Sequence, residues 1–124
     1  MIWKLTDDRP IWIQLFEQLT LRIVSGLYAP GSAVPTVRAL ASEAGVNPNT
    51  MQRALAELES RGLAETRRTA GRIVTEDLSL IHNVRKELAY ARMDEFIASM
   101  RALGYTDEQI RELFAAWDKK EEHV

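Results

Sequence analysis

Residues 34–63 read VPTVRALASEAGVNPNTMQRALAELESRGL, and the spacing of their apolar side chains predicts a helix, a tight turn and a second helix. Val37, Leu40, Ala41 and Ala44 fall on one helical face, Gly45 stops that helix, and Val46 follows as a buried plug between the two. Asn47 can cap the second helix through its side-chain oxygen. Pro48 at the first helical position has the φ a helix needs and lacks only an N–H that would have had no partner. Met51, Ala54, Leu55 and Leu58 then form an apolar stripe. Asn49, Arg53, Ala56 and Glu57 lie round the opposite face, with Thr50 and Gln52 on its flanks.

A helix with an amide, a guanidinium and a small residue at its exposed front suits insertion into a DNA major groove. Arginine can bond guanine in bidentate fashion, asparagine or glutamine can do so to adenine, and a recognition helix offers its N-terminal residues to the base edges. Two amphipathic helices across a turn also occur in all-α domains of any function, so the flanking segments decide.

With 124 residues the chain is long enough for one ordinary core, or for one small domain and an appended element. It has no cysteine, which removes disulfides and thiolate metal sites. No apolar run approaches the roughly 20 residues that span a bilayer. The N-terminus MIWKLTDDRP lacks a signal-peptide pattern, so a soluble cytoplasmic protein without membrane partners is expected. The net charge of −2 is unevenly spread: residues 1–75 carry nine Lys or Arg against seven Asp or Glu, and residues 76–124 carry seven against eleven. A basic first half and an acidic second half fit a DNA-binding domain over 1–75 followed by a helical partner-binding segment over 76–124.

Upstream of the central stretch, Ile2, Trp3 and Leu5 precede a polar bend, and Pro10 opens a helix. Ile11, Trp12, Leu15, Phe16, Leu19, Ile23 and Val24 give it a wide apolar face that ends near Gly26. The segment LYAPGSAVP holds the turn-forming pair Pro30 and Gly31. Thr36 is the expected cap of the next helix. Arg38 sits in its first turn, where the helix dipole favours anions, so an external negative partner such as a DNA phosphate would explain it.

Downstream, LAETRRTAGRIV predicts a two-stranded hairpin of Ala64 to Arg68 and Arg72 to Val74, split by Thr69, Ala70 and Gly71. Arg67, Arg68 and Arg72 cluster about its tip. A basic hairpin directly after a helix-turn-helix is a wing, able to follow the phosphate backbone or enter the minor groove.

Residues 10–75 thereby resemble the winged helix-turn-helix domain of the GntR family of bacterial transcription regulators, and in particular its short YtrA-like branch. The carrying residues are Pro10, the APG turn at Ala29 to Gly31, VPTVRALA at Val34 to Ala41, GVNPNT at Gly45 to Thr50, RALAELESRGL at Arg53 to Leu63, and Gly71. The resemblance implies binding of double-stranded operator DNA as a homodimer, with Arg38, Asn49, Thr50, Gln52, Arg53 and Gly71 at positions that contact DNA in relatives. Ala39 stands where the family often has an acidic residue closing a capping box with Thr36. Thr69 and Ala70 replace part of a Gly-x-Gly wing, so direct minor-groove reading by the tip is not expected. Pro48 occupies a place where other branches carry a base-reading arginine.

The second half reads as helical throughout. Thr75 can cap a helix that runs towards Leu103, with Glu76 and Asp77 in its first turn. Its apolar residues follow one phase through Ile81, Val84, Leu88 and Ala91 and a shifted phase through Ala89, Met93, Phe96, Ile97, Met100 and Leu103, which implies two contact surfaces. Gly104 ends it. Thr106 with Gln109 makes a capping box flanked by Tyr105 and Ile110 as a hydrophobic staple, and a last helix presents Ile110, Leu113, Phe114 and Trp117. Such faces need a cover. Pairing with a second copy through Leu88, Met93, Phe96, Ile97, Met100, Ile110, Leu113, Phe114 and Trp117 is the economical solution, because symmetric dimers dominate among oligomers.

The expected fold is mainly α with a small β hairpin, a winged helix-turn-helix plus two C-terminal helices. Enzyme chemistry finds no support, since His82 and His123 stand alone and neither a phosphate-binding glycine loop nor zinc-ligand spacing occurs. No cofactor or metal is expected. Two function classes follow: a dimeric DNA-binding transcription regulator, with repression of a transporter operon implied by the branch, or a winged-helix protein-interaction module that does not touch DNA. A small-molecule effector, if one acts, would sit at the dimer interface or between the helices and the winged domain.

Overall fold

Residue order alone dictates most of the elements in the computed structural model, which describes residues 2–122 and the side chains as far as Lys119. Helix α1 (Ile11–Val24) is followed by α2 (Val37–Ala44), α3 (Pro48–Ser60), the strands β1 (Ala64–Arg67) and β2 (Gly71–Val74), α4 (Leu78–Ala102) and α5 (Asp107–Glu122). His123 lies outside the described residues. Two compact units divide between Arg85 and Lys86. The expected boundary after Thr75 therefore falls ten residues short of the structural one, because the opening turns of α4 belong to the first unit: Ile81 is buried and the Leu80 side chain lies against Gly62.

The core of the first unit is built from Leu15, Leu19 and Ile23 of α1, Leu40 of α2, Met51, Leu55 and Leu58 of α3, and Leu63 and Val74 beside and within the hairpin, all sealed from solvent. The α1 face is rotated from the expected one. Gln14, Thr20 and Arg22 are buried, while Ile11, Trp12 and Phe16 are half-buried.

Gln14 and Arg22 tie down the N-terminal segment, whose backbone has no strand to pair with. Gln14 accepts from the Thr6 N–H (2.8 Å) and donates to the Thr6 and Arg9 carbonyls (2.9 and 2.8 Å). One turn along, Gln18 accepts from the Lys4 N–H and donates to its carbonyl. Two side-chain amides thus satisfy backbone groups that a sheet would otherwise serve. The Arg22 guanidinium lies 4.1 Å from the Trp3 ring centroid and 5.6 Å from that of Tyr28, donates to the Tyr28 hydroxyl, and pairs with Glu43 of α2 at 2.9 Å. That bond from Arg22, reinforced by the Trp3 indole N–H against the opposing effect of burial, holds the Glu43 carboxyl below the usual glutamate range.

Candidate nucleic-acid interface

The cap of α2 forms as expected, with Thr36 Oγ1 accepting from the Ala39 N–H at 3.1 Å. Gly45 ends the helix in the left-handed region at φ 70°, where a side chain would be strained. Val46 is half-buried rather than buried, and its N–H closes the turn on the Ala41 carbonyl. Asn47 Oδ1 then accepts from the Asn49 N–H at 2.7 Å and Pro48 opens α3. These contacts between near neighbours set where α3 begins, and hence which side chains stand at its front.

Met51, Ala54, Leu55 and Leu58 point into the core, which turns Asn49, Gln52, Arg53 and Ala56 out to solvent. Thr50 and Glu57 are half-buried flanks. Arg53 extends back over α1, with its guanidinium carbon 4.2 Å from the Trp12 ring centroid. Arg38 is exposed in the first turn of α2. Among the described residues no carboxylate comes within ion-pair distance of Arg38, Arg53 or Arg68.

The wing differs in detail from its expectation. Arg67 pairs with Gly71, so the turn is Arg68, Thr69 and Ala70, with Arg68 leaving the first strand and Gly71 entering the second at φ 73°. The segment read as a turn after α1 also joins it. Ala33 bridges to Ile73, the Val34 N–H donates to the Arg72 carbonyl, and the Val74 N–H donates to the Ser32 carbonyl, so β2 is paired on both sides.

The three wing arginines do different things. Arg68 is exposed at the tip. Arg67 is held by Glu65 (2.7 Å) and Glu76 (3.1 Å), and these two bonds raise its already high pKa. Arg72, expected at the tip, lies one residue pair in from the turn but turns back to pair with Glu59 of α3, with only 16 % of its side chain exposed. Burial works to raise the Glu59 carboxyl, but the bonds from Arg72 and Thr66 outweigh it and the net direction is down. Glu59 was not among the residues singled out in the sequence, and a contact across thirteen residues leaves no local signal. Arg72→Ala is accordingly expected to lower unfolding stability by ~1.5 to 3 kcal/mol, the usual worth of a hydrogen bond to a charged group. Denaturant titration checks this, and an unchanged midpoint would return Arg72 to the role of a DNA contact.

Asp77, rather than Thr75, caps α4 within the first unit, its side chain accepting from the Leu80 N–H at 3.1 Å. The second unit can be described by itself. Gly104 ends α4 at φ 101°, and the Thr106 and Gln109 capping box closes reciprocally at 2.9 and 3.2 Å. Arg101 and Asp107 form a forked pair at 2.7 and 2.8 Å across the turn. Ile110 is buried in this hairpin, 3 % exposed, and so is already spent on holding it together. The other expected pairing residues remain accessible: Phe114 and Trp117, 5.6 Å apart between ring centroids, are each more than half exposed. An open groove of about 440 Å³ runs along Phe96, Met100, Leu113, Phe114 and Trp117, and a second of about 560 Å³ along Met93, Phe96 and Ile97. Leu88 is half-buried on α4.

Residues 13–74 match the family model described as bacterial regulatory proteins, gntR family. The chain is 35% identical over 106 residues to the uncharacterized HTH-type transcriptional regulator YhcF of Bacillus subtilis, covering 86% of this chain and 88% of that one. The chain belongs to the GntR family. It is also 38% identical over 71 residues to the HTH-type transcriptional repressor YtrA of B. subtilis, covering 57% of this chain and 55% of that protein. Among solved structures, a GntR family transcriptional regulator from Listeria monocytogenes superposes with a TM-score of 0.80 at 37% identity, covering 94% of this chain and 98% of that one. The DNA-binding domain of AraR in complex with operator ORE1 superposes with a TM-score of 0.52 at 26% identity over 60% of this chain and 94% of that one. This GntR protein is thus a DNA-binding transcription regulator and not an enzyme, built as a winged helix-turn-helix with C-terminal helices. Among the described residues no helix is long and apolar enough to cross a membrane.

Proposed function

We propose that this GntR regulator works in the cytoplasm as a homodimer that binds an operator with two half-sites and represses a transporter operon. The observation that carries the reading is the exposed polar front of α3, where Asn49, Gln52 and Arg53 stand on a helix whose opposite face is core, with Arg38 exposed in the first turn of α2. These are the residue types that read adenine and guanine edges and hold phosphates. Pairing is supported by the two apolar grooves of the second unit, since patches of this kind on a small chain mark association surfaces. Repression draws on the likeness to YtrA, named a repressor, and transport genes as targets rest on the resemblance to that branch.

A gel-shift titration against the upstream region of its own operon, at two salt concentrations, tests the reading. Arg53→Ala is expected to weaken binding by ~1 to 3 kcal/mol and to relax sequence preference, because a base contact is lost. Arg68→Ala, at the exposed wing tip and with no carboxylate partner among the described residues, is expected to weaken all duplexes about equally and to reduce the salt slope by roughly one unit, as for a phosphate contact. Equal loss of discrimination in both variants would show the two roles to be wrongly assigned.

A further inference from the structure

Helices α1 and α3 pack together along the core, and at the edge of their contact two aromatic residues of α1 lie under two arginines, one on α3 and one just past its C-terminal end. Trp12 carries the Arg53 guanidinium at 4.2 Å and Phe16 that of Arg61 at 5.1 Å. The two pairs differ in one respect. Arg61 also bonds Glu57 at 2.9 Å, so its charge is compensated within the protein, whereas no carboxylate among the described residues pairs with Arg53. A guanidinium stacked on an indole is satisfied across its flat face and keeps its in-plane N–H donors for another acceptor.

We propose that Trp12 is a positioning residue for base reading, an indole platform on α1 that holds the Arg53 guanidinium in plane for a bidentate contact with guanine. The proposal rests on the reading of Arg53 as a base contact. Its physical content is pre-ordering. A free arginine side chain surrenders rotamer freedom when it docks, and a platform that already confines it removes part of that cost from the binding step. Trp12 is suited to this, since it is half-buried and sits in the first turn of a helix whose Leu15 and Leu19 are sealed in the core. Tryptophan also offers the strongest cation-binding face of the three aromatics. Phe16 under Arg61 is the internal comparison: the same stack, with its arginine engaged by the protein itself, is packing and nothing more.

The test uses the full chain and a duplex that the wild type selects from a randomised duplex library, together with single base-pair variants of that duplex. Arg53→Ala first identifies the G·C pair whose preference it erases. Trp12→Leu is then expected to lower affinity for the selected duplex by about threefold to thirtyfold, the range of an exposed to a desolvated cation–aromatic contact. The loss should be confined to that base pair, with affinity for unrelated duplexes and the salt slope unchanged. Trp12→Tyr should recover part of the discrimination, and the Trp12→Leu, Arg53→Ala double variant should bind no worse than Arg53→Ala alone. Trp12→Phe keeps an aromatic ring and most of the packing, so it carries the test if Trp12→Leu fails to fold; it should show a smaller loss at the same pair. Multiplying losses in the double variant, a uniform loss over all duplexes, or wild-type discrimination in Trp12→Phe when Trp12→Leu cannot be measured would overturn the role of Trp12 while leaving Arg53 a base reader. A wild type that selects no duplex, or an Arg53→Ala variant that erases no base preference, would overturn the reading of Arg53 and the platform with it.

Discussion

A fragment ending at Arg85 is expected to fold as a monomer and to bind a two-site operator ~10² to 10⁴ less tightly than the intact chain, without losing any DNA-contacting residue. The reason is that a second half-site contact is intramolecular in a dimer and bimolecular without one. The place of the cut matters. Ending at Thr75 would strip away Ile81, only 6 % exposed, and Leu80, whose side chain lies 3.3 Å from where a Cβ on Gly62 would stand, and so would uncover part of the core. Ending at Arg85 keeps the first compact unit entire. Sedimentation equilibrium and operator titration on the fragment provide the check. A fragment that stays dimeric, or that matches the intact chain on the full operator, would assign the C-terminal helices some other purpose.

Trp117→Ala in the full chain is expected to weaken self-association by roughly 30-fold to 1,000-fold, the loss of ~2 to 4 kcal/mol typical of a central aromatic at an interface. The expectation follows from where the ring sits. Within one protomer Trp117 is 54 % exposed and meets Phe114 at a tilt, so removing it creates no enclosed cavity and should shift unfolding of the protomer little. Its burial would be completed only by a partner along the groove it lines with Phe96, Met100 and Leu113. Ile110→Ala should behave in the opposite way, disturbing the hairpin first, because Ile110 is already buried in it. Sedimentation equilibrium paired with thermal unfolding separates the two. Unaltered self-association in Trp117→Ala would place the interface elsewhere.

Local chemistry made the helix-turn-helix and the helical hairpin legible in the residues themselves. Thr36 with Ala39, Asn47 with Asn49, and Thr106 with Gln109 bond across two or three residues, and Gly45 and Gly104 adopt the positive φ that ends a helix. An apolar stripe at helical spacing then determines which face of α3 is left exposed. The exposure of Asn49, Gln52 and Arg53 was legible for that reason.

What the sequence left undetermined depends on groups distant along the chain. Thr75 has a suitable cap chemistry and its hydroxyl accepts from the Asp77 N–H at 3.1 Å, but its backbone continues the wing pairing through the Leu63 carbonyl at 2.9 Å, and α4 starts two residues later behind Asp77. Arg72 carries the same charge as Arg68, and only the approach of Glu59 from α3 makes one a brace and leaves the other at the exposed tip. Arg22 and Gln14 occupy polar positions in a helix whose periodicity marks Trp12 and Phe16 as core. Burial of the first two is made possible by Trp3, Tyr28, Glu43 and the backbone of Thr6 and Arg9, which are brought to them by the fold. Periodicity reports how apolar a face is, whereas burying a polar group depends on finding its hydrogen-bond partners, and those partners are assembled by tertiary structure alone.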